Sequence, residues 1–221
     1  MNAALKHASL PAEHGFGVRG MQPPPDVIYP TQVHGVAVAR VKAGAAFPPE
    51  ADAIVTTTPG TCVGVLTADC VPILVSNEDG SCVAAIHAGW RGLAAGVVEQ
   101  GIVAMRDQTQ SALVTVIGPH IGACCYEVDA PVIEGLRVRF GDVTENALAL
   151  VAGKPGHAML ELARLVEHEL ERCGLTRSRI ARLEPASGTV CTQCGADRFH
   201  SYRRDGEQAG RLLHFIRASG V

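Results

Sequence analysis

Between residues 36 and 87 the chain alternates short apolar runs with turns so regularly that it has to build a sheet. Val36–Val41, Ala53–Thr56, Cys62–Leu66, Ile73–Ser76 and Cys82–His87 are all of strand length, and Pro59-Gly60 and Glu78-Asp79-Gly80 are the clearest turns between them. The periodicity then changes. Arg91–Arg106 is predicted to be a helix entered through the tight Ala88-Gly89 turn, and Leu113–Ile117 another buried strand, broken by Gly118-Pro119. A helix is expected over Glu127–Phe140, where Val128, Val132, Leu136 and Phe140 recur every four residues. Another is expected over Met159–Cys173, with one apolar side and Gly174 as its stop. Ile180–Leu183 and Leu212–Ile216 are predicted late strands. Residues 1–26 are irregular and end in the stiff run Gln22-Pro23-Pro24-Pro25-Asp26. Strands and helices alternate loosely, without strict βαβ units, which predicts an α+β or α/β-like layered sandwich. No repeat, low-complexity tract or linker divides the chain, so residues 1–221 are expected to form one domain.

Hydrophobic residues make up 47% of the chain and aromatic residues only 4%, so the core is expected to be aliphatic. The formal net charge of −3, with no Lys/Arg block, argues against a nucleic-acid partner. No apolar run reaches the roughly 18 residues of a membrane span. The first residues, MNAALKHASLPAEHG, lack the apolar stretch of a secretory signal. The eight cysteines are therefore expected to be reduced thiols in a cytoplasmic protein.

Three of the polar residues at the ends of the apolar runs stand out: His34 in TQVHG, Cys70 in LTADC and His87 in AAIHAGWRG. Two imidazoles and a thiolate are a zinc-type set, and three protein ligands leave a fourth tetrahedral position for water or substrate. Any one of them alone is more readily explained as ordinary burial. Asp69, beside Cys70, is a carboxylate that either orients a ligating histidine or caps a turn.

Other patterns fail in their context. Gly15-Phe16-Gly17-Val18-Arg19-Gly20 spells the dinucleotide fingerprint but follows no strand and runs into prolines. His168-Glu169 begins a metalloprotease-like string whose second histidine position holds Arg172, so it reads as the solvated side of a helix. Cys191-Thr192-Gln193-Cys194 has knuckle spacing without a second CxxC, and the adjacent pair Cys124-Cys125 is not expected to replace one. The base-deaminase signature is absent. So are the HxH pairs of a multicopper oxidase, and no methionine near the three ligands in sequence supplies a blue-copper axial ligand.

Ile86–Gly92 sets a ligand at a strand end just before a helix start, a ready anion site to which Arg91 adds charge. Gly118–Glu127 repeats the strand, glycine turn and helix, and Phe199–Gly206 combines two arginines with aromatic groups. In order along the chain, HGFGVRG, TQVHG, ADAIVT, TADCVPILV, AAIHAGWRG, IGPHIGACCYEV, FHSYRRDG and a closing GR resemble one family. It is known as the laccase-domain or polyphenol-oxidase-like proteins, as zinc-dependent purine nucleoside phosphorylases, and as the peptidoglycan editing factor. The match runs from about residue 14 to residue 216.

That resemblance implies an α-β-β-α type sandwich with the site in a cleft and zinc, with copper disfavoured, on His34, Cys70 and His87. It implies Arg19 and Cys70 as catalytic, Arg19 being the best phosphate or substrate contact. Arg91, Arg203, Cys125 and Tyr126 are further substrate-pocket candidates. The implied partners are a purine nucleoside (adenosine, inosine, guanosine or methylthioadenosine) and phosphate, giving free base and ribose 1-phosphate, with deamination of adenosine as a side activity. A monomer or homodimer is expected. A peptidoglycan-precursor amidase and a non-enzymatic zinc or redox protein are the competing functions. One departure is plain: relatives carry a long segment between that arginine and QVHG, whereas here Gly20 passes almost directly into Met21-Gln22-Pro23.

Overall fold

The seven residues Val71–Asn77 are buried at every position, which a strand achieves only when both of its faces are covered. The computed structural model describes residues 2–42, 50–151, 154–184 and 189–220. Its strands are β1 (His14–Gly15), β2 (Val38–Arg40), β3 (Ala53–Thr56), β4 (Cys62–Thr67), β5 (Val71–Asn77), β6 (Val83–Ala88), β7 (Leu113–Ile117), β8 (Glu127–Val128), β9 (Leu148–Leu150), β10 (Ala158–Leu160), β11 (Ile180–Arg182) and β12 (Leu212–Arg217). The helices are α1 (Trp90–Ala95), α2 (Val97–Arg106), α3 (Ala130–Phe140), α4 (Val143–Asn146), α5 (Leu162–Arg172) and α6 (Tyr202–Asp205).

A six-stranded sheet runs in the order β11-β7-β5-β6-β3-β2, with an antiparallel centre and parallel pairs at its two edges. A three-stranded antiparallel sheet, β1-β12-β4, packs on one face of it. Side chains alternate between the faces of a strand, and the two cores divide accordingly. Ile54, Leu74, Val83 and Ala85 face the second sheet and meet Val63, Val65 and Ile216. Val55, Ile73, Val75, Ala84 and Ile86 face the helices and meet Leu93, Ile102, Leu136 and Leu165. The predicted layered α+β sandwich is what forms.

Four local expectations are corrected. The Arg91–Arg106 helix is two helices, because Gly96 adopts a left-handed conformation (φ 100°) and its N–H caps α1 on the Gly92 and Leu93 carbonyls. α1 is therefore only six residues long, and the charge at its start comes from Arg91 more than from an aligned run of peptide dipoles. Glu127–Val128 is not the first turn of a helix but a strand paired with β10, and α3 begins at Ala130 with a proline in its first turn. Met159 likewise sits in a strand between β8 and β9, and α5 starts only at Leu162. Both strands are so short that their apolar residues continued the spacing of the helices that follow.

Glu169 corrects the fourth, since it is 1% exposed instead of solvated. It holds Arg139 of α3 and Arg172 of its own helix in ion pairs. Arg139 also reaches Glu99 at 2.8 Å, so one guanidinium joins α2, α3 and α5. Within the N-terminal segment, His14 and Gly15 pair with Ile216 and Phe215, and Leu5 bridges to Phe16.

Candidate metal centre

The sheet register decides which residues meet. β3 is antiparallel to β6 (Ala53 opposite Ile86), β6 is antiparallel to β5 (His87 opposite Pro72), and β2 is parallel to β3 (Val38 opposite Ala53). The starts of β2, β3 and β5 and the end of β6 therefore share one rim. His34 precedes β2, Asp52 precedes β3, Cys70 precedes β5 and His87 lies near the end of β6.

Asp52 is fully buried and organises two of these groups. Its carboxylate accepts the backbone N–H groups of Val33 (3.2 Å), His34 (2.9 Å) and Gly35 (2.7 Å). Those bonds hold His34 at φ 60°, a left-handed conformation rare outside glycine. The same carboxylate accepts from His87 Nδ1 at 2.8 Å, which assigns the proton to Nδ1 and frees Nε2 as a ligand atom.

Cys70 Sγ lies 3.8 Å from His34 Nε2, and the donor atoms of His34, Cys70 and His87 all lie within 4.8 Å of one another. In a tetrahedral zinc site with the usual bond lengths, neighbouring N and S ligands are about 3.3–3.6 Å apart, so the trio fits one ion. Gly89 permits this approach. A Cβ there would stand 2.8 Å from His34 Cδ2 and 3.1 Å from Cys70 Sγ. His87 is buried, Cys70 half-buried and His34 exposed.

Electrostatics favour the ligand form of the thiol. Burial pushes the Cys70 thiol up, but hydrogen bonds from His34 and His87 outweigh it and bring its pKa down to about 6. Burial pushes His87 down, while Asp52 and Cys70 raise it to about 9. Burial also opposes the charge on Asp52, yet bonds from His87 and the Gly35 and Val33 amides keep its carboxyl below the usual range. A thiolate beside two imidazoles is a ready site for a soft cation.

The trio lines a cavity of about 770 Å³, within the size range of small-molecule sites. Arg91, Tyr126 and Arg203 line it as well, together with Trp90, Tyr202 and Arg211, which the sequence did not single out as contacts. Arg91 lies over the Trp90 ring (4.5 Å to the centroid) and Arg203 over the Tyr126 ring (5.2 Å). Burial and the Cys70 thiolate push the Tyr126 phenol up to about 12, so it stays protonated and can donate.

Asp69 takes the capping role. It is buried with φ 89°, and accepts from Thr192 Oγ1 (2.5 Å), Ser201 Oγ (3.1 Å) and the Arg203 N–H (2.6 Å). It thereby ties the loop beside Cys70 to the segment that carries Tyr202 and Arg203. The orienting carboxylate is Asp52, and its only sequence signal was a charge wedged between Ala51 and Ala53 at the mouth of a buried strand.

Two predicted contacts lie elsewhere. Arg19 is not among the cavity-lining residues; its Nε donates to the Phe199 carbonyl (2.9 Å) and its Nη2 pairs with Asp205 (3.2 Å), bracing the segment that contains α6. Cys125 points into a different group, with Sγ 3.3 Å from that of Cys194. The adjacent pair Cys124-Cys125, expected to be no substitute for a second CxxC, does join Cys191 and Cys194. The chain turns there, with the Cys125 and Tyr126 amides both donating to the Gly122 carbonyl, and both thiols reach the same partner.

Residues 16–219 match the family model described as multi-copper polyphenol oxidoreductase laccase. The chain is 37% identical over 186 residues to a purine nucleoside phosphorylase of Xylella fastidiosa, covering 82% of this chain and 68% of that one. It is 34% identical over 172 residues to a purine nucleoside phosphorylase of Clostridium acetobutylicum, covering 76% of this chain and 66% of that one. The chain thus spans about two thirds of the length of these relatives. Among solved structures it is similar to YlmD from Geobacillus stearothermophilus, with a TM-score of 0.78 and 29% identity over 88% of this chain and 74% of that one.

Proposed function

The chain belongs to the multi-copper polyphenol oxidoreductase laccase family, and from that premise we propose that it is a zinc-dependent purine nucleoside phosphorylase. The observation that carries this is the His34, Cys70 and His87 trio opening into a cavity lined by arginines stacked on aromatic rings. The names of the relatives support the reaction class. Zinc is favoured over copper by the donors available. Among the described residues the two groups able to hold a metal contain only two histidines between them, too few for a copper cluster.

In phosphorolysis an oxygen of phosphate bonds to the sugar C1′ while the bond from C1′ to the base nitrogen breaks. The base leaves with the electron pair and takes up a proton. Positive charge develops on the sugar, and an anion held beside it stabilises that charge. Arg91 and Arg203, with Arg211, supply the cationic wall for the phosphate, and their planar guanidinium forks suit its oxygens. Tyr126 and Trp90 offer flat apolar surface to a purine, and the protonated Tyr126 phenol can donate to a ring nitrogen. Asp52 orients His34 and His87. Arg19 acts at one remove, by holding Asp205 and with it the segment bearing Tyr202 and Arg203. When bound, a zinc ion with three protein ligands supplies Lewis acidity and lowers the pKa of water at its open position. That chemistry also supports deamination of adenosine to inosine in the same cavity.

The test is turnover of adenosine by zinc-loaded protein, with and without phosphate, with products resolved by chromatography. Adenine formed only with phosphate bears the proposal out. Inosine alone reduces it to a deaminase, and no product from adenosine, inosine or guanosine overturns it.

A further inference from the structure

Cys124, Cys125, Cys191 and Cys194 stand apart from the cavity lining. Their four sulfurs lie within 4.8 Å of one another. Cys194 Sγ is 3.5 Å from Cys124 Sγ and 3.3 Å from Cys125 Sγ. Four thiolates at the usual zinc–sulfur length around a tetrahedral ion are about 3.8 Å apart, so the spacing is that of one shared ion. An iron–sulfur cluster interposes several metal atoms and would hold its thiolates farther apart. A disulfide joins two sulfurs and excludes a third, whereas Cys194 is placed almost equally between two partners.

The backbone is shaped for the same purpose. Cys191-Thr192-Gln193-Cys194-Gly195 forms a tight knuckle, with the Gly195 N–H donating to the Cys191 carbonyl at 2.9 Å. A Cβ on Gly195 would meet the Phe199 ring at 2.8 Å, so the turn requires glycine. The Gly122 N–H donates to Cys191 Sγ at 3.3 Å, an arrangement that favours thiolate over thiol. Cys191 is buried, while Cys124 and Cys194 are open to solvent, so an ion has a route in.

We propose that Cys124, Cys125, Cys191 and Cys194 bind one zinc ion as a tetrathiolate structural site, separate from His34, Cys70 and His87. With all four positions taken by protein, the ion has no place for substrate and acts as a clasp. It joins the Gly122–Tyr126 turn to the 191–195 knuckle, already linked by the Thr192 N–H to the His120 carbonyl at 3.0 Å. Each side leads to the cavity: Tyr126 follows Cys125, and Thr192 donates to Asp69 beside Cys70. The clasp fixes one wall of that cavity, and the proposal holds whether or not the chain is a phosphorylase.

The test is metal stoichiometry of the full chain, purified under reducing conditions and supplied with zinc(II), by elemental mass spectrometry. Wild type is expected to hold two ions. The variant H34A/C70S/H87A keeps one, and its four clustered thiols resist alkylation until a chelator is added. Replacing zinc with cobalt(II) in that variant gives the strong charge-transfer absorption of a tetrathiolate. Cys124→Ser, a near-isosteric change at an exposed position outside the core, weakens retention of this ion at least tenfold while the other ion stays. Retention of no ion by H34A/C70S/H87A, with freely alkylated thiols, would overturn the proposal. So would an intact mass lower by two hydrogens, which would identify a disulfide.

Discussion

The Asp52 carboxylate accepts the Nδ1 proton of His87 at 2.8 Å and, on the same two oxygens, the backbone amides that shape the turn at His34. One side chain thus orients one proposed ligand through its ring and another through its backbone. Asp52→Asn keeps an acceptor for the turn but removes the charge that fixes the His87 tautomer. Its metal affinity, measured by chelator competition, should fall by about 10–100-fold. Asp52→Ala should lose more, and an unchanged affinity would mean the carboxylate orients neither histidine.

Gly89→Ala tests how closely the trio must pack. The new methyl would overlap His34 and crowd Cys70, so bound metal should drop well below one ion at this centre. Melting should remain cooperative, because overpacking of this kind costs about 1–3 kcal/mol. Full metal content would show that the loop yields without moving the ligands.

Arg91 lines the cavity, and among the described residues no carboxylate lies within ion-pair distance of it. In Arg91→Gln the KM for phosphate should rise tenfold or more, a loss of about 1.4 kcal/mol, while the KM for nucleoside changes less. Equal rises in both constants would remove Arg91 from the phosphate site.

The helical layer depends on a buried charge. Among the described residues, Glu169→Gln leaves Arg139 with only the half-exposed Glu99 as a carboxylate partner. Breaking a buried pair by removing one member typically costs about 3–5 kcal/mol, and urea unfolding should show a loss near the lower figure. A loss under 1 kcal/mol would mean that Glu99 alone satisfies the guanidinium.

His214 sets an acid limit on stability. It is fully buried, its Nδ1 accepts the Gly17 N–H at 3.2 Å, and its Nε2 proton is therefore the one shared with Thr67 Oγ1 at 2.8 Å. Protonation would set one N–H against another. Burial, with some repulsion from His87, pushes its pKa down to about 3, while the unfolded chain titrates near 6.5. Between those values the unfolded state binds the extra proton, so stability falls as pH drops below 6.5, by at most about 1.4 kcal/mol per pH unit for this group. His14 and His120, also pushed down by burial, act in the same direction. His214→Gln should flatten the slope of unfolding free energy between pH 6.5 and 4.5; an unchanged slope would assign it to other groups.

The strands of the central sheet were legible because a strand covered on both faces is buried at every position and leaves a continuous apolar run such as Val71–Val75. β8 and β10 were not, since two or three residues carry too little pattern to separate a strand from the first turn of a helix. His34, Cys70 and His87 were legible from donor chemistry; of the arginines and aromatic residues that line the cavity, Arg91, Tyr126 and Arg203 were named beforehand, and Trp90, Tyr202 and Arg211 were not. Asp52 was hidden because its role depends on register, which brings the starts of β2 and β3 and the end of β6 to one rim. The four-cysteine group was hidden for the same reason. Its halves are about seventy residues apart, and only the turn at Gly122 and the knuckle at Gly195 bring them together.

Burial across the trio is graded, from exposed His34 through half-buried Cys70 to buried His87. Of the three donors, the His34 imidazole is the one that solvent reaches most freely. A competing ion or small chelator would engage that imidazole first. The Val33–Gly35 turn, held by Asp52, would then be the element whose movement sets the exchange rate. Residence time can be tuned at this turn without disturbing the core.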